Sequence, residues 1–161
     1  MAIRSILIAN RGEIAARIAR TCHELGIESI AVQAPDDRDA FHTRACDRVA
    51  DVTSYLDADA IAAAVRASGA DAVHPGYGFL SERAEAARAV EAAGAIWIGP
   101  SPDVLERAGD KLEAKAIAEA ASVPVLPQGD PAVVGYPLLL KAAAGGGGRG
   151  MRIARSTSRS A

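Results

Sequence analysis

From Ser5 to Ile98 the chain alternates short, almost wholly apolar runs with longer stretches in which apolar residues return every three or four positions. "SILIA" opens the series, and behind the turn Arg11-Gly12-Glu13 come Ile14, Ile18, Cys22 and Leu25 at helical spacing, closed by Gly26. A β-branched run of that length fits a buried strand, and the spacing behind it fits an amphipathic helix halted by a residue free to turn left-handed. The unit recurs. "SIAV" predicts a second strand, followed by the polar loop "APDDRD", a helical patch near Phe41 to Cys46 and a weak strand around Val49 to Val52. Asp57 is placed to cap a helix through Ile61 and Val65 to Gly69, "DAVH" predicts a further strand, Ser81 a cap for a helix ending at Gly94, and "AIWI" the next strand. Strands apolar on both faces, alternating with helices, imply a parallel sheet covered by helices on both sides.

The prolines and glycine of "GPSPD", 99–103, break any regular element and predict a domain boundary. Past it, Asp110 and Glu113 have the spacing of a capping box for a helix through Lys115 to Ala121. Pro124, Pro127, Gly129, Pro131 and Gly135 mark a loop, and "YPLLLK" predicts a new strand. In "LLLKAAAGGGGRGMR" a lysine stands between that strand and four consecutive glycines, and an apolar-charged rhythm resumes at Met151, Arg152 and Ile153. Bare main-chain amides close around phosphate oxygens with no Cβ in the way, and Lys141 adds a point charge. No G-K-[ST] follows the glycines, so this is not a Walker loop, and a flexible linker is the plain alternative.

Composition narrows the partners. Half of the 161 residues are hydrophobic, enough for one full domain and the beginning of a second. A net charge of -2 gives no basic excess for a phosphodiester backbone, so nucleic acid is not an expected partner. Cys22 and Cys46 lack a zinc-ligand spacing and read as small buried thiols of a reduced compartment. The first apolar run is cut by Asn10 and Arg11 before signal-peptide length, and no stretch reaches the ~20 apolar residues that span a bilayer, so the expectation is a cytoplasmic protein without a membrane partner.

In an open α/β sheet the loops at the carboxyl ends of strands carry the chemistry. "ANRGE" lacks G-x-G-x-x-G, so it reads as a tight strand-to-helix turn with Gly12 at the bend and Glu13 at the helix start, not as a dinucleotide site. In "HPGYGFLSE" two glycines bare the backbone around Tyr77, which suits a flat polar ligand lying on the ring with Gly78 offering its amide. A Pro-Gly turn with Tyr77 as a core anchor is the competing reading, and His74 reads as a satisfied sheet-end histidine.

Four stretches in order, "IANRGEIAARIAR", "HPGYGFLSE", "GDKLEAK" and "GYPLLLKAAAGGGGRGMR", resemble the amino-terminal part of biotin carboxylases, members of the ATP-grasp superfamily that serve acetyl-CoA, propionyl-CoA and pyruvate carboxylases. The resemblance implies an α/β fold, a Rossmann-like domain over 1–98 and the incomplete start of an ATP-grasp domain over 99–155; beyond it "RSTSRSA" has lost all apolar periodicity, so a disordered tail is expected over 156–161. It implies an activity of the complete enzyme in which ATP and bicarbonate give carboxyphosphate and biotin on a carrier protein is carboxylated. By the same resemblance Lys111 and Lys141 contact ATP phosphates, Gly147 and Gly148 belong to the loop that closes over them, Met151 lies near the adenine, and Tyr77 and Gly78 face biotin. The implied partners are a biotin carboxyl carrier protein, a carboxyltransferase subunit and a second copy paired through the first helix, where Arg20 and Glu24 stand.

This sequence departs from the family pattern in shorter segments between Asp51 and Tyr55 and between Val125 and Gly135, the latter without the helix that precedes "GYP". The family's magnesium-binding glutamates, its base and its bicarbonate-facing arginine fall on no residue here, so no catalytic or metal role is carried over and the chain alone is expected to be inactive. The alternatives are a non-catalytic module that pairs with a full-length carboxylase subunit, and a piece of another ATP-grasp ligase of the carbamoyl-phosphate synthetase or purine-pathway type.

Overall fold

The computed structural model describes residues 2–127, 129–140 and 151–156, apart from the side chain of Lys111. It divides into two compact units, Met1–Gly109 and Asp110–Ala161.

The first unit is built on a five-stranded parallel sheet. Its strands are β1 (Ser5–Ile8), β2 (Glu28–Gln33), β3 (Arg48–Asp51), β4 (Ala72–His74) and β5 (Ile96–Trp97), in the order β3-β2-β1-β4-β5. Helices α1 (Gly12–Glu24), α2 (Phe41–Arg44), α3 (Ala58–Ser68), α4 (Ala84–Ala92) and α5 (Pro102–Gly109) connect and cover them. The α/β architecture with helices on both faces is therefore as the sequence predicts.

β1 lies at the centre and is buried on both faces. Its alternating side chains serve different cores. Ile6 and Ile8 pack with Ala15, Ala19 and Cys22 of α1, while Leu7 joins Ile30, Val32, Ile61, Val65, Val73 and Val90 on the side covered by α3 and α4. Leu7, Ile8 and Ile30 are shut off from solvent, each contributing about 1.5–3 kcal/mol by burial. Alanines at the contact positions of α1 and α4 let the helices approach the sheet closely.

Two serine-aspartate clamps fix register at the amino ends of the strands. The Asp71 carboxylate accepts from the backbone N–H groups of Arg4 (2.9 Å) and Ser5 (3.1 Å), joining β1 to the start of β4. The Asp47 carboxylate accepts from Ser29 N–H (2.8 Å) and Ser29 Oγ (2.7 Å), joining β2 to the start of β3. At the edge, Arg48 of β3 pairs with Glu28 of β2 at 3.1 Å.

Local signals act as expected at several ends. Asp57 accepts from Ala60 N–H at the start of α3, Gly69 ends it in the left-handed region, and Gly12 (φ 60°) makes the bend into α1. Ser81 does not cap α4. The helix starts three residues later behind Arg83, which caps it with no side-chain hydrogen bond, because Ser81 N–H and Arg83 N–H are turned back onto Gly78 O and Leu80 O. The unit also runs on through α5 to Gly109, since Leu105 is buried in the core and Arg88 of α4 meets Asp103 and Glu106.

The second unit holds α6 (Lys111–Ala120), α7 (Pro131–Val134) and an antiparallel pair, β6 (Leu138–Leu140) with β7 (Arg152–Ala154). Asp110 caps α6 by accepting from Leu112 and Glu113 N–H. α7 corrects the sequence reading of a loop without the helix that precedes "GYP": Asp130 caps it through Ala132 N–H and Pro131 occupies its first turn, where a missing N–H costs nothing. None of the described residues of this unit is buried. Of the predicted tail, 156–161, all but Ser156 lies outside the described residues.

Amides that exchange only by global opening belong in the buried sheet, whereas a unit without buried side chains opens at little cost. Hydrogen exchange is therefore expected to be slower in β1, β4 and α1 than in α6, β6 and β7, by on the order of a hundredfold or more. Equal protection across Gly109 and Asp110 would contradict this difference.

Candidate functional site

Strand order reverses between β1 and β4: from β1 the chain moves outward through β2 to β3, then crosses back to β4 and on to β5. At such a switch point the loops leaving two neighbouring strands diverge and open a crevice. Here they are Asn10-Arg11 behind β1 and Pro75 to Leu80 behind β4. Asn10, fully buried, spans them. Its Nδ2 donates to Pro75 O (2.7 Å) and Tyr77 O (3.0 Å), and its Oδ1 accepts from Arg11 N–H (2.9 Å).

The loop behind β4 is unusual in its backbone. Gly76 (φ 65°), Gly78 (φ 68°) and Phe79 (φ 46°) all lie in the left-handed region, which disfavours a bulky residue such as Phe79. Leu80 anchors the loop in the core, and the Phe79 ring rests 5.6 Å from the ring of Tyr55. His74 Nδ1 accepts from Gly76 N–H at 3.0 Å, which places the proton of its neutral ring on Nε2. Burial pushes the His74 pKa down, so the neutral form is favoured. This is the satisfied sheet-end histidine that the sequence suggests.

Beside this loop Arg11, Asp37 and Tyr55 form a network. Asp37 Oδ1 accepts from Arg11 Nη2 (2.7 Å), Asp37 Oδ2 accepts from the Tyr55 hydroxyl (2.8 Å), and the Arg11 guanidinium lies 5.6 Å from the Tyr55 ring centroid. Burial raises the Asp37 pKa, but the bonds from Tyr55 and Arg11 outweigh it and hold the carboxyl below its ordinary range. Burial and Asp37 together push Tyr55 up to about 12. Beneath them His42, fully buried, has its Nε2 3.2 Å from Val32 O.

Of the residues named from sequence, Tyr77 and Gly78 lie at the switch point. Tyr77 is 63% exposed, which removes the core-anchor alternative, and Gly78 N–H meets no acceptor among the described residues. Met151 is exposed, one residue before β7. Lys141, Gly147 and Gly148 lie outside the described residues, as does the Lys111 side chain, whose backbone opens α6. The β6–β7 register sets Leu140 opposite Arg152, so the ends of the glycine-bearing connection are held side by side.

Asn10, Arg11, Asp37 and Tyr55 escaped the sequence reading of the site. The signal available for Asn10 was a polar residue directly behind a wholly buried strand; Arg11, Asp37 and Tyr55 carry none, since their meeting depends on how the loops behind β1, β2 and β3 converge. Elsewhere, an open depression of about 440 Å³ lined by His23, Gly26, Ile27, Glu28 and Asp47 sits at the amino ends of the strands, away from the switch point. Cys22 and Cys46 are free thiols, and burial pushes Cys46 up to about 11, which makes it a poor nucleophile. Among the described residues, no group of three or more His, Cys, Asp or Glu comes together to hold a metal ion, and no helix is long and apolar enough to cross a membrane.

Comparison with known proteins places this architecture. The biotin carboxylase, N-terminal domain family matches residues 2–105, and the carbamoyl-phosphate synthase L chain, ATP binding domain family matches residues 82–161. The chain belongs to the biotin carboxylase family, to whose amino-terminal part it corresponds. It is 45% identical to the biotin carboxylase of Haemophilus influenzae over 96% of the chain and 39% of that protein, and 46% identical to the mitochondrial pyruvate carboxylase of Mus musculus over 96% of the chain and 15% of that protein. Among solved structures, the biotin carboxylase domain dimer of Hydrogenobacter thermophilus 2-oxoglutarate carboxylase, in complex with MgADP, ADP and bicarbonate, superposes with a TM-score of 0.90 at 40% identity, over 96% of this chain and 38% of that one. The Campylobacter jejuni biotin carboxylase in its β,γ-ATP complex gives a TM-score of 0.90 at 41% identity, over 96% and 39%. The chain thus spans well under half the length of the relatives it matches.

The network at Asp37 gives a pH signature. A carboxyl whose pKa is lowered by folding contributes stability that is present above its ordinary value of 3.8 and lost as pH falls through the lowered value. Asp37→Asn is expected to destabilise the first unit by about 1–2 kcal/mol near neutral pH, a charged hydrogen bond discounted for the half-exposed Arg11. Denaturant midpoints of parent and variant should converge below pH 3.8; a gap that persists unchanged into acid would contradict this assignment.

Proposed function

We propose that these residues supply the Rossmann-like wall and the first phosphate-binding strand pair of an ATP-dependent biotin carboxylase. In that reaction ATP and bicarbonate yield carboxyphosphate, and biotin on a carrier protein takes up the carboxyl group. The observation that carries the reading is the Pro75 to Leu80 loop at the switch point, where an exposed Tyr77 and a Gly78 N–H without an acceptor among the described residues stand together for a flat ligand with a carbonyl acceptor. The family membership and the nucleotide and bicarbonate complexes of its neighbours support it.

On the nucleotide side, Lys111 and Lys141 would pair with phosphates, Gly147 and Gly148 would close over them, and Met151 would lie beside the adenine. Magnesium would serve the nucleotide in the complete enzyme; among the described residues no group of three or more His, Cys, Asp or Glu comes together to hold it. The expected partners are a biotin carboxyl carrier protein, a carboxyltransferase subunit and a second copy docked on α1. Arg20 and Glu24 are both exposed there and make no ion pair with each other, which leaves them available to a partner. The reduced thiols fit a cytoplasmic setting.

Two lysines and bare amides attract phosphate without neutralising it fully. The 161-residue chain is expected to bind ATP with roughly millimolar affinity, weakened about tenfold by Lys141→Ala or Lys111→Ala and unchanged by Arg155→Ala. Titration followed by NMR checks this, and identical affinity in the lysine variants would remove the phosphate role. Turnover is a separate matter. Bicarbonate-dependent phosphate release by the same chain is expected to stay far below the ~1 s⁻¹ of an ordinary enzyme, and a rate at or above that value would show that these residues suffice for catalysis.

A further inference from the structure

The Pro75 to Leu80 loop has no strand or helix ladder to hold it, yet three of its residues occupy the left-handed region. Such a backbone keeps one shape only when its surroundings over-determine it. The loop's other hydrogen bonds are Gly76 N–H to His74 Nδ1, Ser81 N–H to Gly78 O and Arg83 N–H to Leu80 O. None of them restrains the carbonyls of Pro75 and Tyr77. Both of these converge on one side chain from the other lip of the crevice, the Asn10 carboxamide, at 2.7 and 3.0 Å.

The fit on that side is close. A Cβ added to Gly76 would lie 2.7 Å from Asn10 Nδ2 and 2.7 Å from Ile14 Cγ2, so the main chain passes Asn10 with no room for a side chain. Asn10 is fully buried and each of its two N–H bonds has its own carbonyl, while Oδ1 accepts from Arg11 N–H. A carboxamide is the one short side chain that offers two donors and an acceptor in a plane. An aspartate of the same shape would turn an oxygen toward two carbonyl oxygens, and a serine would reach one of them at best.

We propose that Asn10 is a positioning residue: by holding the Pro75 and Tyr77 carbonyls inward, it aims the Tyr77 ring and the Gly78 N–H out into the crevice for the ligand. The part about the ligand rests on the reading of the loop as the biotin side of the site; the part about the loop stands on the geometry alone. Asn10 acts through the loop and touches no reacting atom.

Two measurements on the 161-residue chain test it. In the parent, both Asn10 carboxamide protons should be slow to exchange, and exchange at the solvent rate would overturn the proposal. In Asn10→Asp, the Gly76 and Ser81 amides should exchange on the order of tenfold faster or more, with the Tyr77 and Gly78 resonances displaced, relative to sheet amides such as Leu7 and Val73. Ile30→Val, a core deletion of comparable cost, controls for global loosening and should leave the loop resonances in place. If Asn10→Asp moves the loop no more than Ile30→Val does, Asn10 is a structural residue only. Should Asn10→Asp not fold, Gly76→Ala strains the same contact from the other side and is read in the same way. Titration of the parent with biotin then separates the two claims: no displacement at Tyr77 and Gly78 removes the ligand assignment, while the exchange results decide the loop.

Discussion

Everything in the first unit depends on β1 being buried on both faces. A strand in that position has no solvent side, so Ile6 and Ile8 need a helix below and Leu7 needs helices above. Its backbone groups likewise need a partner strand on each edge. The chain meets these demands as parallel strands do, by crossing over through helices. Placing β2 on one edge and β4 on the other is what creates the reversal of strand order, and with it the crevice in which Asn10, Tyr77 and Gly78 meet. Packing at the centre and chemistry at the rim are consequences of the same four residues.

The two ends of the sheet are closed by different means. At the amino ends, the carboxylates of Asp71 and Asp47 accept from the backbone and side chains of Ser5 and Ser29. At the carboxyl ends, the work falls to a neutral carboxamide that donates to carbonyls. The difference lies in what each side chain meets: the carboxylates face free N–H groups of Arg4, Ser5 and Ser29, whereas Asn10 faces the carbonyls of Pro75 and Tyr77 in the loop behind β4. The charged network of Arg11, Asp37 and Tyr55 lies next to the carboxamide and braces Phe79 through the Tyr55 ring.

Much of this was legible in the sequence because strands and helices of this class are written in local patterns. "SILIA", "DAVH" and the Asp57 cap act where they stand, and the exposed Tyr77 between two glycines marked the loop that matters. What was not legible is non-local. Ser81 reads as a cap on its own, but the left-handed Phe79 folds the following turn back on Gly78 and delays the helix to Ala84. α7 is a single turn whose Asp130-Pro131 start is outnumbered by the prolines and glycines around it. Arg11, Asp37 and Tyr55 come from three loops in different parts of the chain, and no spacing rule joins them.

The margins of the sheet carry a last consequence. β3 is largely exposed, but it is only four residues long, with charged residues at both ends, and Arg48 and Asp51 are tied inward to Glu28 and Gln33 of β2. β5, at the opposite margin, is two residues long and is followed at once by the Gly99-Pro100 break. A long flat edge would recruit strands from other copies and seed fibres; one edge of four residues with a charge at each end and another of only two give an incoming strand almost nothing to register against. The edges of the first unit's own sheet thereby protect it against self-templating.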